Sequence, residues 1–203
     1  MANNEGLIQV DIPQRKNMFA LEGIDGSGKS TQSENITRRL EGLGITVARV
    51  ASPSDGVIGS FVRQNMRKLD SWERNTLFLM DFIHTLKEHP DSKEVLIWDR
   101  YVASGYTSNK DMTLLQAVQW LSSLPQPTRT YLLDIEPSAV IETRSESVHD
   151  HSSDTSWQDY KRARYLELID LFPGQIQLID ASRNPEEITE LITKDILLNI
   201  EES

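Results

Sequence analysis

A three-layer α/β/α fold around a five-stranded parallel sheet, with a lid, is what this sequence of 203 residues predicts. Three observations lead there. Short apolar runs alternate with segments of helical spacing, the signature of right-handed βαβ units whose sheet is covered on both faces. The first run leads straight into a Gly-rich turn, Gly23-Ile24-Asp25-Gly26-Ser27-Gly28. Polar groups also follow the third run, Asp99-Arg100, and the fifth, Asp180-Ala181-Ser182. In such a sheet ligands gather at the carboxyl ends of the strands, so all three clusters fall at one edge.

The elements follow in order. Residues 1–16 are polar, carry Pro13 and read as a flexible arm. A strand at 17–22 and the turn lead into a helix over about 29–42, closed by Gly42 and Gly44. Ile45 to Val50 reads as a second strand and Ser52-Pro53-Ser54-Asp55-Gly56 as a turn. Residues 57–69 and 72–89 have helical spacing, with Ser71 placed to cap the second and Pro90 to stop it. Val95 to Trp98 is a third strand, 111–123 a helix broken by Pro125 and Pro127, and Thr130 to Ile135 a fourth strand. Pro137 suits the first turn of a helix over 137–147. The polar, aperiodic stretch that follows reads as a lid over about 145–156. A helix at 156–171, a strand from Gln175 to Ile179 and a helix from Pro185 to Asn199 complete one domain, 17–203.

Composition narrows the function. Hydrophobic residues make up 38% and charged residues 26%, ordinary for a globular domain. The chain has no cysteine, which excludes disulfides, thiolate metal sites and cysteine nucleophiles. No apolar run approaches the ~20 residues a membrane helix needs, and the first residues lack the basic-then-apolar profile of a signal peptide. A cytoplasmic protein without a membrane partner is expected. The net charge of −10 argues against nucleic acid as the main partner, since backbone binding needs clustered cations. An anionic small molecule would need a local basic pocket.

The turn supplies one. Gly23, Gly28, Lys29 and Ser30 fit G-x-x-x-x-G-K-[ST] at every fixed position, the phosphate-binding loop of P-loop NTPases. Glycines such as Gly26 permit positive φ and leave room for phosphate oxygens. Backbone N–H groups of the loop, through Ser27 and Thr31, then face an anion at the positive end of the following helix. Lys29 adds a charge for the β- and γ-phosphates of ATP, and the Ser30 hydroxyl suits Mg²⁺. Asp99 closes an apolar strand where a Walker-B acid sits and suits the Mg²⁺ water shell; Arg100 can grip a substrate phosphate with two bonds.

Four segments together carry a family resemblance: Glu22 to Thr31; Asp99-Arg100-Tyr101-Val102-Ala103-Ser104; Leu133-Asp134-Ile135-Glu136-Pro137; and Ile179-Asp180-Ala181-Ser182. In order and spacing the chain resembles thymidylate kinases from about residue 17 to 200. The resemblance implies a nucleoside monophosphate kinase that uses ATP and Mg²⁺ on a deoxynucleoside 5′-monophosphate, dTMP or a related pyrimidine nucleotide, as a homodimer. It implies that Asp25 bonds the sugar 3′-hydroxyl region, Phe78 stacks on the base and Arg100 grips the acceptor phosphate. Arg63, Pro53, Asp81, Phe82, Ser104 and Ser108 would complete the acceptor site. Arg144 would contact ATP as a catalytic cation, and residues 180–183, Ala181 and Arg183 among them, would line the adenine site.

The chain also departs from the family pattern. Phe82 stands where a pyrimidine-reading arginine is usual, Ser108 where an aromatic residue faces the base, and Ala51-Ser52-Pro53 where an arginine lies near the acceptor phosphate. No arginine occupies the loop positions Ile24 to Ser27, and Ser147 to Thr155, with His149 and His151, holds neither Arg nor Lys. Arg144, Arg162 and Arg164 flank that stretch and are the candidate replacements. These departures keep two alternatives open: a kinase for a deoxynucleoside or modified pyrimidine, and a catalytically weak nucleotide-binding paralogue.

Overall fold

The computed structural model describes residues 14–90, 94–143, 155–172 and 174–201. Five strands, β1 (Gln14–Glu22), β2 (Val47–Ala51), β3 (Val95–Asp99), β4 (Gln126–Asp134) and β5 (Ile176–Asp180), form one sheet in the order β2-β3-β1-β4-β5. Every neighbouring pair is parallel. The three-layer α/β/α expectation holds. The helices are α1 (Lys29–Gly42), α2 (Val57–Asn65), α3 (Ser71–Glu88), α4 (Ala103–Thr107), α5 (Leu114–Leu121), α6 (Pro137–Thr143), α7 (Thr155–Leu171) and α8 (Pro185–Glu201). No helix among the described residues is long and apolar enough to cross a membrane.

Strand periodicity divides the core in two. Phe19, Leu21, Val95, Ile97, Tyr131 and Leu133 face α1 and α8, where Ile36, Leu40, Ile188, Ile192 and Ile196 meet them. Met18, Ala20, Leu96, Trp98 and Leu132 face the opposite layer, built from Phe82, Tyr101, Tyr106, Tyr165 and Leu168. The register pairs Leu21 with Asp99, Ala51 with Asp99, and Asp134 with Asp180. The carboxyl ends of all these strands therefore line up beside the Gly-rich turn.

Several boundaries differ from the sequence reading. β1 starts at Gln14, so its first three residues belong to the sheet rather than to the arm; the register breaks between Arg15 and Phe19, around Asn17 with φ 57°. β4 runs through Pro127 instead of starting after it. At that point β4 pairs only with β1, and its ladder with β5 begins at Thr130, so the missing proline N–H leaves no bond unmade on the open side. The cap of α3 is Asp70, not Ser71: Asp70 accepts from the Glu73 N–H and Glu73 accepts from the Asp70 N–H, both at 2.8 Å. Five-residue α4 is too short to show a period in sequence, and α5 starts only at Leu114 behind its own capping box, Thr113 with Gln116. The expected arm to residue 13 and the lid from 145 to 154, with His149 and His151, lie outside the described residues.

Candidate active site

The turn after β1 is closed by local sterics. A Cβ on Gly23 would lie 2.5 Å from the Leu133 carbonyl oxygen, and the residue holds φ at 142°, so only glycine fits. Gly26 and Gly28 also adopt positive φ, 88° and 93°. α1 follows Gly28, its N-cap, with no side-chain cap and no acidic residue in its first turn. Its N–H groups and positive end are thereby left for an anion. Lys29 is buried, and its Nζ donates to the Ile24 carbonyl at 2.5 Å and to Ser27 Oγ at 3.3 Å. Burial, and then the nearby Arg100 charge, hold this amine well below its ordinary value, against the pull of Asp25.

Across from the loop, Ser30 Oγ donates to Asp99 Oδ2 at 2.5 Å. The other oxygen of that carboxylate, Oδ1, is buried with no hydrogen-bond partner among the described residues. A hydroxyl beside a carboxylate with a spare oxygen is the hard-oxygen set Mg²⁺ prefers, and the residues fit that ion. No cluster of three or more acidic or histidine side chains that could cage a metal occurs among the described residues. The ion would therefore depend on substrate oxygens and water for most of its shell.

Arg100 follows Asp99 with φ at 68°, in the left-handed region. A non-glycine residue there is costly, of order 1–3 kcal/mol, and persists only where its surroundings over-determine it. They do. The Arg100 N–H donates to the Leu21 carbonyl at 3.0 Å, while buried Glu22 accepts from the N–H groups of Tyr101 (2.8 Å) and Ser104 (3.2 Å). Glu22 also accepts from Ser104 Oγ at 2.7 Å and Tyr165 Oη at 2.9 Å. Burial pushes its carboxyl up, while these hydrogen bonds act the other way. The result aims the Arg100 guanidinium at Asp25 of the loop, with which it forms an ion pair.

Asp25 is the meeting point of the site. Besides Arg100, its carboxylate accepts from Lys161 Nζ at 2.8 Å and Gln158 Nε2 at 3.2 Å, and its N–H donates to Gln158 Oε1 at 3.2 Å. Burial alone would raise the Asp25 carboxyl, but Arg100 and Lys161 outweigh it and hold the group well below the usual carboxylate range.

A cleft of about 730 Å³ opens beside this centre, lined by Asp25, Arg100 and Lys161 at one end. Pro53, Phe78, Phe82, Ser104 and Ser108 line it as well, so the structure brings together most of the residues expected at the acceptor. Phe82 is a floor residue: it is 2% exposed, packed against Trp98, Tyr101 and Phe78. Two expected residues do not line the cleft. Asp81 is buried and its carboxylate is occupied by Ser54, accepting from the N–H at 2.8 Å and from Oγ at 2.5 Å. Arg63 donates to the Pro53 carbonyl at 2.5 Å and to Asp55 at 3.0 Å. Both brace the loop that carries Pro53. Thr31 is exposed on α1. Arg183 pairs with Asp180 at 3.5 Å beside a shallow depression of about 270 Å³ at the end of β5, and the Ala181 N–H donates to the Asp134 carbonyl at 2.8 Å.

Of the candidate replacement cations, Arg144 lies outside the described residues. Arg162 is held by both oxygens of Asp134, at 2.6 and 2.9 Å, and by Glu136. Arg164 stacks on the Tyr106 ring at 3.7 Å and donates to the Met112 carbonyl at 2.6 Å. The cation that does reach the loop, Lys161, was missed in sequence. A signal existed: the buried positions of α7 are Gln158, Lys161, Tyr165 and Leu168, so a glutamine and a lysine stand on the stripe that should be apolar.

A parallel sheet ordered 2-3-1-4-5, a phosphate loop beside a Ser–Asp pair and an arginine aimed into an adjoining cleft define a P-loop nucleoside monophosphate kinase. The chain belongs to the thymidylate kinase family, whose family model matches residues 21–192. The thymidylate kinase of Bifidobacterium longum subsp. infantis is 30% identical over 197 residues, covering 87% of this chain and 84% of that protein. A probable thymidylate kinase of Methanocorpusculum labreanum is 29% identical over 88% of this chain and 96% of its own length. The thymidylate kinase of Leptospira interrogans is 28% identical over 93% and 98%.

Proposed function

We propose that this enzyme transfers the γ-phosphoryl group of ATP to the 5′-phosphate of dTMP, with Mg²⁺. The observation that carries the reading is a convergence. Lys29 and the Ser30–Asp99 pair stand at the loop, while Asp25 and Arg100 line the cleft that opens from it, so donor and acceptor phosphates would meet at one point. Ser30, and Asp99 through water, would hold Mg²⁺, which when bound offsets charge on the β- and γ-phosphates.

The chain's own residues position the reactants. On ATP binding, Lys29 Nζ exchanges the Ile24 carbonyl and Ser27 hydroxyl for phosphate oxygens. Arg100 orients the acceptor phosphate with a bidentate grip, and Arg144, next to the lid, is retained as a cation toward ATP. Asp25 sits at the sugar side of the acceptor, with Phe78 for the base. An oxygen of the acceptor phosphate forms a bond to the γ-phosphorus, the bond from that phosphorus to the β,γ-bridging oxygen breaks, and its electron pair leaves with ADP. Family resemblance supports a cytoplasmic homodimer.

The test is a coupled ADP-release assay with MgATP against a panel of deoxynucleoside monophosphates and their nucleosides. The reading expects dTMP to give the highest kcat/KM, and Lys29→Ala to abolish turnover while leaving the circular dichroism spectrum unchanged. Turnover confined to a nucleoside or another nucleotide would refute the acceptor assignment. Full activity in Lys29→Ala would refute the phosphate-loop mechanism.

A further inference from the structure

Lys161 is 6% exposed, and burying an ammonium group costs free energy unless an anion compensates it. The carboxylate Lys161 contacts is Asp25, which it shares with Arg100, and buried Glu22 also acts on the amine. Lys29, in the same loop as Asp25, brings a third cation to this point: all three act on Asp25, and Lys161 and Arg100 both act on Lys29. Asp99 acts on Lys29 and Arg100, and Glu22 on Arg100 and Lys161. Arg100 and Lys161 both line the cleft beside Asp25, where two phosphate groups would meet. The helix that delivers Lys161 is well anchored. Gln158, one turn earlier, makes two bonds to Asp25, and Tyr165, one turn later, is bonded to buried Glu22. Lys161 Nζ is thus held by the rigid part of α7, whereas Arg162 and Arg164 beside it are committed to Asp134, Glu136 and Tyr106.

We propose that Lys161 is a catalytic residue: it contacts the phosphoryl group in transit and supplies, from α7, a positive charge that neither the loop positions Ile24 to Ser27 nor residues 145–156 contain in their sequence. As the γ-phosphorus leaves the bridging oxygen for the acceptor oxygen, negative charge spreads over its equatorial oxygens, and a fixed cation at that point lowers the barrier more than it strengthens ground-state binding. In the unliganded enzyme Asp25 takes the place of that anion. When nucleotides bind, Lys161 shifts from Asp25 to phosphate oxygen, which frees Asp25 for the acceptor.

The inference rests on the kinase reading above, and its test separates the two. With MgATP and the best acceptor, Lys161→Met is expected to lose about 100-fold or more in kcat, with both KM values changed by less than about 3-fold. Lys161→Arg should recover part of the loss. ADP with fluoroaluminate and acceptor, a mimic of the transferring phosphoryl, should bind the wild type tightly and Lys161→Met weakly, although ADP alone binds both equally. Because the chain has no cysteine, Lys161→Cys offers a single thiol: aminoethylation, which rebuilds a lysine-like amine, should restore kcat, and carbamidomethylation, which adds no charge, should not. That pair decides the matter if Lys161→Met does not fold. A fall in kcat below about 10-fold, a loss confined to KM, or rescue by neither or by both alkylations overturns the proposal. An inactive wild type on every acceptor overturns the kinase reading along with it, whereas an active wild type with an equally active Lys161→Met overturns this inference alone.

Discussion

Asp25 binds two cations through one carboxylate, and that arrangement has a pH signature. Its folded value lies well below the ~3.9 of an unfolded aspartate, so the ionised form is the one folding favours. Its contribution to stability is therefore complete above about pH 4 and is lost as pH falls toward the folded value. Glu22 has the opposite sign: burial raises its value, so its contribution belongs to acid pH and is lost as pH rises through the folded value. Comparing wild type with Asp25→Asn cancels the Glu22 slope. Urea unfolding should give a constant stability difference from about pH 7 to about pH 5, shrinking below about pH 4. A difference independent of pH down to acid unfolding would mean that Asp25 is not held as its two ion pairs require. Phe82 shows how a residue's surroundings set its role. Its ring is locked among Trp98, Tyr101 and Phe78 and closes the cleft floor by packing.

Among the elements, α3 has the most local determinants and the most direct consequence for the site. The Asp70–Glu73 capping box starts it, and Asn75, Phe78 and Phe82 along its length line the cleft. Asp70→Ala should cost about 1 kcal/mol through loss of the box, read as a fall in Tm of about 2–4 °C for a chain of this size. Activity should stay near wild type, because the helix ends in the same packing. A fall much larger than this would mean that the cap also holds the preceding loop. α7 illustrates a different logic. Its inward stripe is polar at the end near the phosphate loop and apolar at the other, Gln158 and Lys161 giving way to Tyr165 and Leu168. The apolar half docks the helix onto the sheet, and the polar half delivers charge to Asp25.

At the scale of the molecule, the loop, β3 and α7 meet only because a parallel sheet aligns its strand ends. A nucleotide bound there holds together parts of the chain that are distant in sequence, and it should stabilise the whole fold. MgATP at about 100 times its Kd is expected to add about 2.7 kcal/mol to wild-type stability, and far less to Lys29→Ala, by thermal denaturation against ligand concentration. An equal shift in both proteins would place the nucleotide elsewhere. The phosphate loop was legible in sequence because its chemistry is local: glycines, lysine and serine act within a few residues of one another, and each needs only its own backbone to be in position. The alternation of strand and helix was legible for the same reason, since period and apolarity are properties of short segments. What the sequence could not determine was pairing at a distance. Lys161 and Asp25 are 136 positions apart, Ser54 and Asp81 are 27 apart, and no periodicity along the chain encodes either contact. Packing decided them: docking α7 on the sheet brought a lysine to the loop, docking α3 gave Asp81 to a neighbouring serine, and the same physics that buried Phe82 left Lys161 facing the cleft.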